Sequence, residues 1–135
     1  GRLDMQSEGL LLMTNDGELT NKLTHPRHEI PKIYHVTVAG SVSAQTVEAL
    51  SRPMTLDGYE ILPVKVCKLD FNGSNTLLEF TLYEGRNRQI RKMCEQADLT
   101  VKRLSRLSIG DLKLDGMPVG KWRYLTNEEI NNLKK

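Results

Sequence analysis

Cysteine is scarce in this chain of 135 residues: only Cys67 and Cys94 occur, far apart and outside any C-x-x-C spacing. That excludes a disulfide framework and a thiolate zinc site, and it predicts two reduced core thiols. Long hydrophobic runs are missing as well. No apolar stretch approaches the roughly 18 residues that would span a bilayer, and no charged-then-apolar leader opens the chain, so a soluble, unexported, cytoplasmic protein without membrane association is expected. Histidine is limited to His25, His28 and His35. Pro26 interrupts the helix that would align the first two, and no thiol accompanies them, so no metal centre is expected. Internal repeats, low-complexity tracts and interdomain linkers are all lacking, and the length suits one domain over 1–135 with a single core.

What the chain does have is charge in an uneven place. The net charge is +2, yet from Arg86 to Arg106 seven bases (Arg86, Arg88, Arg91, Lys92, Lys102, Arg103, Arg106) face two acids (Glu95, Asp98), a local +5 that leaves −3 elsewhere. A basic stripe on a near-neutral domain is what binding to a phosphate backbone requires; a solvated helix face is the plainer alternative.

Periodicity gives alternating strands and short helices. "GLLLMT" (Gly9–Thr14) reads as a buried strand, and "NDGELTNKLTHP" as a short helix capped by Asn15 or Asp16 and stopped before Pro26. "KIYHVTV" alternates, with Tyr34, Val36 and Val38 on one face. "SAQTVEALSRP" is a helix capped by Ser43, and "LPVKVCKLD" and "NTLLEFTLYE" are antiparallel strands joined through "FNGSN", the second burying Leu78, Phe80 and Leu82. "NRQIRKMCEQA" begins a helix, "VKRLSRLSIGDLKLDG" returns as strand, and Thr126 with Glu129 forms a capping box opening a terminal helix. The class is α+β.

Asp4, in "GRLD", stands just before an apolar run. A carboxylate at the foot of a buried strand is costly unless it is hydrated or paired with a cation; a turn or capping aspartate is the simpler reading of this residue alone. Taken together, "GRLD", "EGLLL", "TNDGEL", "LTHP", the K-x-Y of "KIY" and "EGRNRQIRKM", in that order, resemble the bacterial ribosomal pseudouridine synthases of the RsuA/RluB/RluE/RluF family. "GKWRYLTNEEI" is similar to that family's closing segment, so the resemblance runs over nearly the whole chain.

The resemblance implies a pseudouridine synthase fold, a mixed and mainly antiparallel sheet flanked by short helices, with 1–135 as the C-terminal major part of the catalytic domain. The upstream part of the sheet and a small RNA-binding module would precede Gly1. It implies isomerisation of a specific uridine to pseudouridine in a structured stem-loop of ribosomal RNA, with 23S rRNA favoured by the "GRNRQIRKMCE" wording, by a monomer using no cofactor. Asp4 matches the catalytic nucleophile, and Arg91 the arginine that pairs with it. Such a pair at about 4 Å and an effective dielectric near 20 is worth roughly 4 kcal/mol before desolvation, which keeps the carboxylate ionised for attack. Tyr34 matches the tyrosine whose ring lies against the target base with its hydroxyl near the sugar; a core tyrosine is the other reading.

Lys32 belongs to the same motif and either pairs with an acid, touches phosphate or solubilises a strand edge. Gly85 and Asn87 lie in a loop opening a helix, where Arg86, Asn87, Arg88, Gln89 and Lys92 would contact RNA; an ordinary strand-to-helix turn is the plainer reading. Arg2 faces the RNA or is a loose terminal residue. Two departures from the family pattern are Ser7, where a threonine is usual, and "EQADLTV" in place of a glycine-containing turn. Rival functions are a noncatalytic RNA-binding or ribosome-assembly module, and a carboxylate-dependent nucleosidase, which would need a second acid such as Glu8.

Overall fold

The computed structural model describes residues 3, 6–25, 30–84, 88–114 and 116–134. In chain order its elements are β1 (Glu8–Gly9), α1 (Gly17–Thr24), β2 (Lys32–Ala39), α2 (Ala44–Ser51), β3 (Thr55–Leu56), β4 (Tyr59–Glu60), β5 (Lys65–Phe71), β6 (Asn75–Leu82), α3 (Gln89–Gln96), β7 (Val101–Ile109), β8 (Leu112–Lys113) and α4 (Asn127–Lys134). The main sheet runs β1-β7-β2-β6-β5, with β8 also paired to β7, and β3 and β4 form a separate hairpin. All pairings are antiparallel except β1 with β7. This is the expected α+β arrangement with a mixed, mainly antiparallel sheet. Among the described residues no helix is long and apolar enough to cross a membrane.

Local chemistry sets the helix ends. The Asp16 carboxylate accepts from the Leu19 N–H at 3.1 Å to start α1, and Ser43 Oγ accepts from the Thr46 N–H at 3.2 Å to start α2. At α4 the capping box is reciprocal: Thr126 Oγ1 accepts from the Glu129 N–H at 3.1 Å, and Glu129 Oε1 from the Thr126 N–H at 2.9 Å. The β5–β6 turn is closed by Asn72 Oδ1, which accepts from the N–H groups of Ser74 and Asn75. Pro26 lies outside the described residues.

In β2 and β6 the period-two pattern places Val36 opposite Leu78 and Tyr34 opposite Phe80, and the face they share is covered by α2 and α3 through Leu50, Ile90, Met93 and Cys94. Each large side chain fully buried there contributes about 1.5–3 kcal/mol. A second cluster joins Leu10, Leu23, Ile109, Leu112 and Leu133, holding α1 and α4 to the β7–β8 end.

Several expectations are corrected. The strand expected over Gly9–Thr14 stops at Gly9; Leu10 is buried, but Met13 is 90% exposed. The edge of β7 explains it: beyond Arg106 that edge is taken by β8, with the Leu114 N–H also donating to Leu107 O, so no ladder remains for residues 10–14. "VKRLSRLSIGDLKLDG" is two strands turning at Gly110 rather than one. The β3–β4 hairpin was missed although Asp57-Gly58, both at positive φ, is a strong hairpin signal. Cys94 is a buried thiol as expected, but Cys67 is exposed: next to inward-facing Val66, it falls on the outer face of edge strand β5.

Candidate active site

The expected site residues come from three distant stretches, and β7 ties two of them together. Its outer edge carries β1, in register Glu8 with Ser105 and Gly9 with Arg106, while its inner edge carries β2, with Tyr34 opposite Arg106. The β1 contact is close. Gly9 has φ +115°, and a Cβ on it would stand 2.2 Å from Arg106 O, so only glycine fits. Leu10 N–H donates to Arg106 O at 2.8 Å, and Arg106 Nε donates to Leu10 O at 2.9 Å, so the two residues hold each other. Arg103 adds an ion pair to Glu8.

The third stretch is the start of α3. Arg88 is its N-cap, at φ +53°, with no side-chain cap bond. Its Nη2 donates to Gln6 Oε1 at 2.9 Å, and Arg91 Nη2 donates to Gln6 O at 2.6 Å. Two arginines of "RNRQIR" therefore grip a residue only two positions beyond Asp4. Asp4 itself, with Arg2, Gly85, Arg86 and Asn87, lies outside the described residues, and so does the expected Asp4–Arg91 pair.

Tyr34 is half-buried and packs against the main core cluster, to which α3 contributes Ile90, Met93 and Cys94. Burial pushes the Cys94 thiol up to about 12, against an opposing pull from the Arg91 charge, so it is an unreactive core group. Lys32 is 6% exposed. The strand-edge reading for it is wrong, because β2 lies between β7 and β6. Nor does a carboxylate pair with it among the described residues. Burial, and then the neighbouring Arg106 charge, hold its ammonium below the ordinary lysine pKa.

Of the remaining expected RNA contacts, Lys92 reaches back through Nζ to Asp57 Oδ2 at 2.5 Å, fastening α3 to the β3–β4 turn. Gln89 is 3% exposed, and neither polar atom of its amide has a partner among the described residues. Among the described residues of the basic stripe Arg88, Lys102 and Arg103 are exposed and Arg106 is buried; Arg88 and Arg91 hold Gln6, Arg103 holds Glu8, and Arg106 bonds Leu10. Sequence reasoning missed Arg106 as an individual residue, since the count of bases gave no sign that this one points inward.

Residues 1–96 match the family model for RNA pseudouridylate synthase. The chain is 40% identical over 135 residues to an uncharacterized RNA pseudouridine synthase of Aquifex aeolicus (strain VF5), covering 100% of this chain and 54% of that protein. It is 39% identical over 136 residues to ribosomal large subunit pseudouridine synthase B of Bacillus subtilis (strain 168), covering 99% of this chain and 56% of that protein. A crystal structure of a pseudouridylate synthase superimposes with a TM-score of 0.89 at 34% identity, covering 98% of this chain and 57% of that one. The chain spans about half the length of the curated relatives it matches. With its strands, its arginine-held N-terminal segment and these matches in agreement, the chain belongs to the RNA pseudouridylate synthase family.

Proposed function

We propose that this chain is the C-terminal major part of the catalytic domain of a cytoplasmic, monomeric enzyme that converts a uridine in a ribosomal RNA stem-loop to pseudouridine. Asp4 is the nucleophile, Arg91 the cation that keeps it ionised, and Tyr34 the face against which the turned-out base lies. The reaction breaks the bond between ribose and base nitrogen, forms a bond from the same sugar carbon to base carbon 5, and moves a proton from carbon 5 to the freed nitrogen. It is balanced without an oxidant, a reductant or an energy source. Attack at the sugar carbon, attack at base carbon 6, and elimination to a glycal all begin with an ionised carboxylate.

The observation that supports the reading is the double grip of Arg88 and Arg91 on Gln6, which holds that residue, two positions after Asp4, at the start of α3. Ribosomal RNA as the substrate is supported by the name of the Bacillus subtilis relative. Asp4→Asn in the full-length protein tests it: the amide is nearly isosteric but cannot attack. Pseudouridine mapping of ribosomal RNA should show one site lost, with RNA affinity unchanged within a few fold. Retained isomerisation would overturn the nucleophile assignment and favour the noncatalytic RNA-binding module.

A further inference from the structure

Two neighbouring strands in the middle of the sheet carry buried cations. Lys32 opens β2 and Arg106 lies in β7; they are 6% and 7% exposed. Buried charges are ordinarily answered by a carboxylate, because an ammonium or guanidinium removed from water without a counter-charge is strongly disfavoured. Among the described residues neither cation has a carboxylate partner. Among the described residues the Arg106 side chain donates through Nε to Leu10 O, and like charge is what Lys32 feels from it.

The pair lies where a substrate nucleotide would arrive. Tyr34 is opposite Arg106 in the ladder and two residues along from Lys32, so Lys32 and Tyr34 alternate onto the same side of β2. On the other edge of β7, Arg106 holds Leu10, on the segment that Arg88 and Arg91 fix through Gln6. Arg106 therefore stands between the tyrosine and β1, the strand that follows Asp4, and Lys32 stands beside the tyrosine on β2.

We propose that Lys32 and Arg106 form an anion subsite that receives a phosphate of the nucleotide turned out onto Tyr34. The proposal rests on the RNA-substrate reading above and deepens it. A nucleotide extruded from its stack carries its flanking phosphate with it. A guanidinium whose Nε is already anchored presents its terminal amino groups as a fixed fork for two phosphate oxygens, and an ammonium beside it supplies a point charge. An anion placed there removes the mutual repulsion of the cations, so binding would be selective for charge rather than for base identity.

The test compares uridine 5′-monophosphate, uridine and inorganic phosphate as ligands of the full-length protein, followed by NMR at Lys32 Nζ and Arg106 Nε. The monophosphate should bind about tenfold or more tightly than uridine, the scale of one charge-assisted hydrogen bond, and inorganic phosphate should displace it. Lys32→Met should remove that preference while leaving uridine affinity unchanged. Arg106→Lys keeps a cation while losing the fork, and should remove part of it. Equal binding of nucleoside and nucleotide, as when a carboxylate elsewhere in the protein fills the pair, would overturn the proposal; so would equal weakening of both ligands by Lys32→Met, whose apolar side chain of similar length guards against simple misfolding. Binding of 23S rRNA to the unmutated protein is measured alongside. If RNA binds and the nucleotide preference is absent, the subsite fails and the RNA reading stands; if the preference is present and RNA does not bind, the reverse holds.

Discussion

Gly9→Ala is the sharpest probe of how the site is held. An alanine there would have its Cβ 2.2 Å from Arg106 O, 2.5 Å from Arg106 N and 2.9 Å from Arg106 C. All three are backbone atoms of β7, which is fixed along its other edge by β2, so they cannot recede. The φ of +115° adds about 1–3 kcal/mol of strain for a residue with a side chain. Relief has to come from β1 leaving the sheet. That forfeits the Leu10 N–H bond to Arg106 O and leaves the Arg106 Nε without its acceptor at Leu10. At about 1 kcal/mol for the first and about 1–3 for the buried cation, the loss is near 3 kcal/mol. Urea denaturation followed by circular dichroism measures that loss, and hydrogen exchange locates it: the Leu10 amide should lose protection while Val36 and Leu78 keep theirs. Pseudouridine formation should fall with the Leu10 protection, because the segment after Asp4 is no longer pinned. A midpoint shift equivalent to less than about 0.5 kcal/mol, with Leu10 still protected, would refute the reasoning.

Two further outcomes follow from particular contacts. Arg91→Lys keeps the charge but loses the fork that reaches Gln6 O, so the rate of pseudouridine formation should drop about 10- to 100-fold with the fold intact; an unchanged rate would mean that charge alone suffices. Glu129 has its pKa lowered to about 2, first by the hydrogen bond from Arg123 and then by the Thr126 N–H. A depressed carboxyl stabilises the fold above its unfolded pKa near 4.3 and ceases to as the folded group protonates, so the start of α4 should loosen between about pH 4.5 and 2. Exchange at the Glu129 and Ile130 amides reads this directly, and Glu129→Gln should abolish the pH dependence.

Much of the fold was legible because local chemistry and periodicity agree. Asp16, Ser43 and Thr126 cap the helices expected of them, and β2 and β6 alternate as written. The sequence misled where a neighbour far along the chain decides the outcome. Nothing in "GLLLMT" says that the edge it would pair with is occupied by β8, and an apolar run read as strand is left partly exposed. Lys32 looked like an edge residue because strand order cannot be read from one strand. The same limit hid Arg106: a base counted in a stripe is solvated or buried according to which strands flank it.

The attachment of the candidate site has a physical character set by this topology. Leu10 and Arg106, which clasp one another, are 96 residues apart, so the contact is a non-local one across the β1–β7 edge. What then holds the segment after Asp4 is a two-residue parallel pairing, one buried guanidinium, one ion pair at Glu8 and the two arginines on Gln6. Among the described residues little apolar burial is involved before Leu10, in contrast to the continuous cluster under β2 and β6. Elements held mainly by hydrogen bonds at a sheet edge open at lower free energy than the core they border. That difference is why Gly9→Ala should detach the segment after Asp4 while leaving the central strands protected, and why the two measurements in that experiment are expected to separate.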